Sequence, residues 1–417
     1  MSATAEAIEE LRALDAAGDH EALIDGLHEV IAADRRTFTD PWVKEWCGRR
    51  WRDLFVSEAS RDETAVEAAS QRLGIPGTDL SVRAGRDRRP ERQRIAERFL
   101  HGSPETEWRQ ELPPPRAGEP DATLVICPGL INSMLPWRAF QAALPKLAGE
   151  RGWRVLCADA HPVRSCAANV EDLAAAIERG EGLDHSCARI GPEAAEPPGD
   201  VFLLGYSKGS PDALTALIDR PALAQRVRAL YGWGGAFGGS FLADDIYDAI
   251  KDLEIPLGRI GDTLATVLKA VCPLVNLEGI SERLDEYDVK GAIRDLTTSE
   301  RGRFLAEHAE EVDALDLPIF TITAATTALE VPTLQAQGYL EIRKRDPEND
   351  MQLTQAQARL EIPMATHLAT VRAHHWDISY DPFPLHTRMG SANLDHRFPR
   401  EAALVAIVQL TAELGLA

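Results

Sequence analysis

The 417-residue chain is short of cysteine, and where its cysteines fall excludes more than their number does. Cys47, Cys127, Cys157, Cys166, Cys187 and Cys272 have no paired spacing, so neither a zinc-ligand motif nor a redox CxxC pair is present. The chemistry is therefore read without metal or organic cofactor, and the expected setting for the thiols is a reduced, cytoplasmic one. Basic residues are also scarce: 45 Lys and Arg stand against 66 Asp and Glu, a net charge of -21. That balance argues against nucleic acid or an anionic membrane surface as a partner. No apolar run is long enough to span a bilayer, and Met1–Glu6 has neither the basic nor the apolar region of a secretory leader. Internal repeats are absent, and the one biased tract is proline-rich, from Leu112 to Pro120. Nothing in the composition speaks to oligomeric state.

What is present centres on Val201-Phe202-Leu203-Leu204-Gly205-Tyr206-Ser207-Lys208-Gly209-Ser210. An apolar run of strand length meets Gly-x-Ser-x-Gly, and a helix-compatible run, Pro211 to Ile218, follows. Strand, sharp turn and helix form the context in which a serine is presented as a nucleophile. The turn forces the serine into a strained conformation, and the flanking glycines let strand and helix pass close to it. The hydroxyl then stands at the positive end of a helix.

Around that centre the chain divides. Residues 1–105 read as a helical domain, with Leu23, Ile24, Leu27 and Ile31 at helical spacing and Asp40-Pro41 opening a helix through Trp42, Trp46 and Trp51. The proline tract is a stiff linker, with a candidate edge strand, Glu107 to Leu112, before it. From residue 106 to 417, strands and helices alternate, which predicts an α/β fold with a mainly parallel sheet covered on both faces. Strands are predicted at 122–127, 153–158, 201–204, 227–233, 317–324 and 369–376. Helices are predicted through Trp137, Phe140, Ala143 and Leu144, over 170–178, and around Leu404–Leu410. The stretch 182–199 reads as a loop. Residues 241–312 read as helices alone, an insertion placed to cap the sheet's C-terminal edge and shape an apolar pocket. Met134, Leu135, Trp137, Phe237 and Phe241 are candidates to line it.

Serine is a poor nucleophile unless a base takes its proton, and the base needs an orienting carboxylate. Both follow Ser207 in the order Ser, acid, His. For the base, His375 ends the last predicted strand and His396 precedes the closing helix. His374 would point to the other face. For the acid, Asp350 lies in an Asn-Asp turn after the penultimate strand, Glu330 lies nearer that strand, and Asp377 is too close to His375 to orient it. The Lys208 side chain is expected to reach solvent along the sheet edge, the alternative being attraction of an anionic substrate.

Gly205-Tyr206-Ser207-Lys208-Gly209, the Pro128-Gly129 turn after a strand, and a late histidine before a closing helix resemble the α/β-hydrolase superfamily, in its lipase- and esterase-like members. The resemblance covers residues 106–417 and is silent about the amino-terminal segment. It implies Ser207 as nucleophile, a histidine base and an acid. It also implies an oxyanion hole from the backbone N–H of Lys208 and of Leu130, or Ile131 beside it. The implied substrate is a small-molecule or lipid-like carboxylic ester. Acyl transfer, thioester or polyester cleavage, and a non-catalytic scaffold on the same fold are the alternatives.

Overall fold

Short runs of buried aliphatic residues, too brief and too β-branched for helices, build the centre of the molecule. In the computed structural model, residues 3–70, 89–102, 112–114, 121–134, 138–252, 283, 286–328, 330–332, 335–381 and 398–416 are described. Nine strands are found among them: β1 (Leu100–His101), β2 (Thr123–Cys127), β3 (Val155–Cys157), β4 (Gly182–Leu183), β5 (Arg189–Ile190), β6 (Val201–Tyr206), β7 (Val227–Trp233), β8 (Ile319–Ala325) and β9 (Ala365–Arg372). They form one sheet in the order β1-β9-β8-β7-β6-β2-β3-β4-β5. The six strands from β9 to β3 run parallel, and β1, β4 and β5 pair antiparallel at the edges. The predicted class, α/β with a mainly parallel sheet, is the class the chain adopts.

Alternation along each strand sends neighbouring side chains to opposite faces, so the sheet has two cores. On one face Val125, Leu203, Leu230 and Ile319 pack with the Cys166–Ala174 and Gly209–Asp219 helices. On the other, Leu124, Phe202, Tyr231 and Phe320 pack with the amino-terminal helices and the closing Arg400–Glu413 helix. The amino-terminal segment thus covers one face of the sheet, and its last residues, Leu100 and His101, extend the sheet's edge against Val371 and Thr370. Asp40 does cap the Pro41–Ala59 helix, accepting from the amides of Trp42 and Val43.

Several boundaries differ from those the sequence suggests. Phe140 has a left-handed backbone, φ 61°, so the helix after β2 starts only at Ala143. Residues 182–190 form the β4–β5 hairpin, closed by Asp184 accepting from the amides of Ser186 and Ala188. The last strand is Ala365–Arg372, and His375 lies beyond it in a turn. Residues 107–111 of the candidate edge strand lie outside the described residues. No helix among the described residues is long and apolar enough to cross a membrane.

One buried ion pair ties distant parts of the chain together. Arg50 donates from Nε and Nη2 to the two oxygens of Glu413 at 2.7 and 2.6 Å, and both side chains are 1% exposed. The same guanidinium donates to Asp53 at 3.0 Å and to the Pro113 carbonyl of the linker at 2.9 Å. Removing Glu413 costs the buried guanidinium two of these four hydrogen bonds and leaves Asp53 as its carboxylate partner, so Glu413→Ala is expected to lower the unfolding free energy by about 3 kcal/mol. Replacing both residues by leucine should recover much of that loss, and urea denaturation of the single and double variants measures both.

Candidate active site

The serine sits where the sheet's central strand ends. Ser207 follows β6 directly and has φ 52°, a conformation that a non-glycine residue adopts only when its surroundings force it. The force comes from packing on two sides. A Cβ on Gly209 would lie 2.0 Å from the Cys127 carbonyl oxygen, so the helix that starts there runs hard against the end of β2. A Cβ on Gly129 would lie 3.1 Å from the Ser207 Cβ, so the turn after β2 closes directly over the serine. Two hydrogen bonds hold the bend in place: the Ser207 amide donates to the Trp233 carbonyl at 3.3 Å, and its own carbonyl accepts from Ala236 at 3.0 Å.

The structure brings Ser207, His375 and Asp350 together. His375 Nε2 is 2.9 Å from Ser207 Oγ, and its Nδ1 is 2.7 Å from Asp350 Oδ2. A carboxylate can only accept, so Nδ1 carries the proton and Nε2 is left to accept from the serine hydroxyl. Asp350 is fully buried, and its other oxygen accepts from the amides of Gln352 and Leu353 at 2.9 and 2.6 Å. The His375 amide donates to the Asp350 carbonyl at 2.9 Å, which locks the two loops side by side. Tyr206 does two further things for the imidazole. Its ring stacks on His375, with centroids 5.2 Å apart, and its hydroxyl donates to the His375 carbonyl at 3.0 Å. Its place inside the Gly-x-Ser-x-Gly pentapeptide was the only sequence signal for it.

The other candidates lie elsewhere. Both ring nitrogens of His375 are engaged, so no position remains from which Glu330 could orient it. Glu330 instead accepts from the Thr326 hydroxyl and the Thr327 amide and faces Arg98 at 3.7 Å. Asp377 pairs with Arg400 at 3.1 Å, and His374 accepts from the Asp377 amide. His396 lies outside the described residues.

Two backbone donors flank the serine without a protein acceptor among the described residues, the amides of Lys208 and Leu130. Ile131 is excluded from that role because its amide donates to the Pro162 carbonyl at 3.2 Å. The Lys208 side chain does not reach solvent. It is 1% exposed, and its ammonium lies 2.5 Å from Asp212 one helical turn further on. Burial pulls the ammonium towards neutrality, but Asp212, with Cys166 and Asp295 behind it, more than reverses the effect and holds its pKa above the ordinary lysine value. The solvated reading failed because an i,i+4 acid on the buried face of the same helix supplies what water would have.

Above the serine lies a cleft with about 660 Å³ of free space, part of it open to solvent. Leu242, Ala243 and Ile246 line it from the Phe241–Ile250 helix, and Ile293 and Leu296 from the Val289–Arg294 helix and the residues after it. The three predicted lining residues that are described do not line it. Phe237 is buried under the far face of the sheet, Phe241 packs beneath the Arg345 guanidinium, and Met134 belongs to the core. Leu135 and Trp137 lie outside the described residues. No cluster of His, Cys, Asp or Glu fit to hold a metal occurs among the described residues.

No family model matches the chain, and no curated protein matches it. Solved structures do. The crystal structure of the metagenomic carboxyl esterase MGS0156 aligns at 20% identity over 87% of this chain and 91% of that one, with a TM-score of 0.55. The mature form of Bacillus licheniformis lipase BlEst2 aligns at 20% identity over 64% of this chain and 89% of that one, with a TM-score of 0.42. The first of these shows the fold alone: the chain has the α/β-hydrolase fold.

His161 follows β3 and is 3% exposed, with Nδ1 accepting from the Val163 amide and the ring set edge-on to Tyr287. Burial, reinforced by Arg283 and Arg164, pushes its pKa down from 6.5 to about 4. The folded state therefore refuses a proton that the unfolded chain accepts. The stability this group contributes is complete above pH 6.5 and is lost as pH falls from 6.5 towards 4. His161→Asn keeps an acceptor for Val163 without titrating here, so its unfolding free energy should fall less steeply across that window than the wild type's in parallel denaturation series.

Proposed function

We propose that the protein is a serine hydrolase that cleaves carboxylic esters with an apolar acyl or alcohol part. The observation that carries this reading is the unbroken hydrogen-bonded chain Asp350–His375–Ser207, opening into an apolar cleft. Ser207 Oγ attacks the ester carbonyl carbon while His375 Nε2 takes the hydroxyl proton. The carbonyl electron pair moves onto oxygen, where the amides of Lys208 and Leu130 donate to it; one such donor is commonly worth about 10²–10³ in rate. Collapse of the tetrahedral intermediate expels the alcohol, which leaves with the proton held by His375. A water deprotonated by the same nitrogen then attacks the acyl-enzyme, and the acid departs as Ser207 regains its proton. Asp350 holds the imidazole in the tautomer this requires and stabilises its cationic form.

The site suits this chemistry in a second respect. Leu242, Ile246, Ile293 and Leu296 give an ester's hydrocarbon part a surface to bury, at about 25 cal/mol per Å² removed from water. Lys208, next to the serine in sequence, has its ammonium committed to Asp212, so that side chain is not turned towards substrate.

Ser207→Ala should reduce kcat for a p-nitrophenyl ester by at least about 10³-fold and abolish labelling by a fluorophosphonate probe, with the melting temperature preserved. Continued labelling of the variant, or turnover near the wild-type rate, would remove Ser207 as the nucleophile.

A further inference from the structure

We infer that the buried polar network running from Lys208 through Asp212 and Asn169 to the His161-Pro162 peptide is a positioning device, setting the distance between the two amides that receive the oxyanion. The inference rests on the hydrolase reading above and deepens it.

The two donors come from elements that meet nowhere in the sequence. Lys208 opens the helix after β6, while Leu130 belongs to the turn after β2. Neither amide has a hydrogen-bond partner among the described residues, so each is held through its neighbours. On one side, the Lys208 ammonium grips Asp212 Oδ1 at 2.5 Å. Asp212 Oδ2 accepts at 2.9 Å from Asn169 Nδ2, on the Cys166–Ala174 helix. Asn169 Nδ2 also reaches the His161 carbonyl at 3.2 Å, and the next carbonyl, that of Pro162, accepts the Ile131 amide. Ile131 is the residue after the second donor. The chain of contacts therefore begins at one oxyanion donor and ends beside the other.

Two properties of the path suit it to this purpose. Asn169, Lys208, Asp212 and His161 are each 3% exposed or less, so their bonds are not exchanged with water. Ile131 has φ 58°, an unfavourable conformation for a β-branched residue, and the hydrogen bond its N–H donates to the Pro162 carbonyl opposes relaxation of that turn. Asn169 is itself held from behind: Arg164 Nε donates to its Oδ1 at 2.8 Å, and the same guanidinium pairs with Asp172 at 2.7 Å. A displacement of about 1 Å at a reacting centre can cost about a hundredfold in rate, so loss of the bridge should register in catalysis even though no member other than Lys208 adjoins the serine.

Asn169→Ala cuts the bridge while leaving Lys208 and Asp212 paired. It should lower kcat for p-nitrophenyl butyrate by about 10- to 100-fold with KM within about twofold. The inhibition constant of butaneboronic acid, whose serine adduct presents an oxygen to the same amides, should rise by a similar factor. Lys208→Met combined with Asp212→Asn removes both charges together, strands neither, and should act in the same direction. A purely structural role would lower the melting temperature of these variants while leaving kcat per titrated site and boronate affinity unchanged. Folded variants of that behaviour overturn the inference, and if Asn169→Ala does not fold the double variant decides alone. Unfolding of both overturns it too, since the network would then serve stability. Wild-type protein without ester turnover would instead overturn the hydrolase reading, and this inference with it.

Discussion

One steric fact governs the site: the helix that begins at Gly209 has no room to retreat from the end of β2. With the Cys127 carbonyl so close that a methyl group could not fit between them, the chain can leave β6 only by a bend that drives Ser207 into a left-handed conformation. The strain is held by the whole thickness of the sheet, since β2 and β6 are neighbours with five residues in register and both cores close around them. A local backbone penalty of about 1–3 kcal/mol survives only when the surroundings over-determine it, and here they do. The benefit is geometric. The hydroxyl projects beyond the sheet edge, at the positive end of the helix, where loops from other strands can reach it.

Those loops are tied to one another more than to the serine. Asp350 lies in the β8–β9 connection and His375 in the turn after β9, yet a backbone hydrogen bond joins them, and Tyr206, one residue before the serine, stacks its ring on the imidazole and donates its hydroxyl to the His375 carbonyl. Trp233 adds a bond from its indole nitrogen to the Ile378 carbonyl, just past the histidine turn. The histidine's backbone is therefore held at both its amide and its carbonyl, while the Asp350 carboxylate and the Tyr206 ring hold the imidazole, which is what a base needs if its tautomer is to be set before substrate enters.

The sequence made local features legible and long-range ones less so. β7 could be read to the residue and β6 nearly so, because a buried strand declares itself in its own composition, and the elbow pentapeptide carries its own stereochemistry. The choice between Asp350 and Glu330 turned on loop paths that no local pattern encodes. Lys208 was misread for a related reason. A lysine alone belongs in water, and only the helical offset to Asp212, with Asn169 arriving from another helix, makes its burial tolerable. Phe237 and Phe241 suggest the pocket lining because they are large and apolar, whereas facing is decided by a turn: the left-handed Gly239, φ 81°, redirects the chain, and Leu242, Ala243 and Ile246 meet the cleft instead. The amino-terminal helices gave a clear helical period, but that they cover one face of the sheet could not be read from it.

Buried charge in this molecule is concentrated where segments far apart in sequence must be held in one arrangement. Arg50 joins an early helix, the linker and the closing helix, while Lys208 and Asp212 join the elbow to the helix after β3. Apolar residues of the same volume would often be no less stabilising at such places, because desolvation offsets much of the attraction between the charges. They would not, however, distinguish the native arrangement from a slipped one. A hydrophobic contact tolerates a shift of a fraction of an ångström, whereas a bidentate guanidinium or a 2.5 Å ammonium–carboxylate contact does not. Directional bonds are thus found where position matters more than cohesion, and the residue that supplies one candidate oxyanion donor is held by one of them.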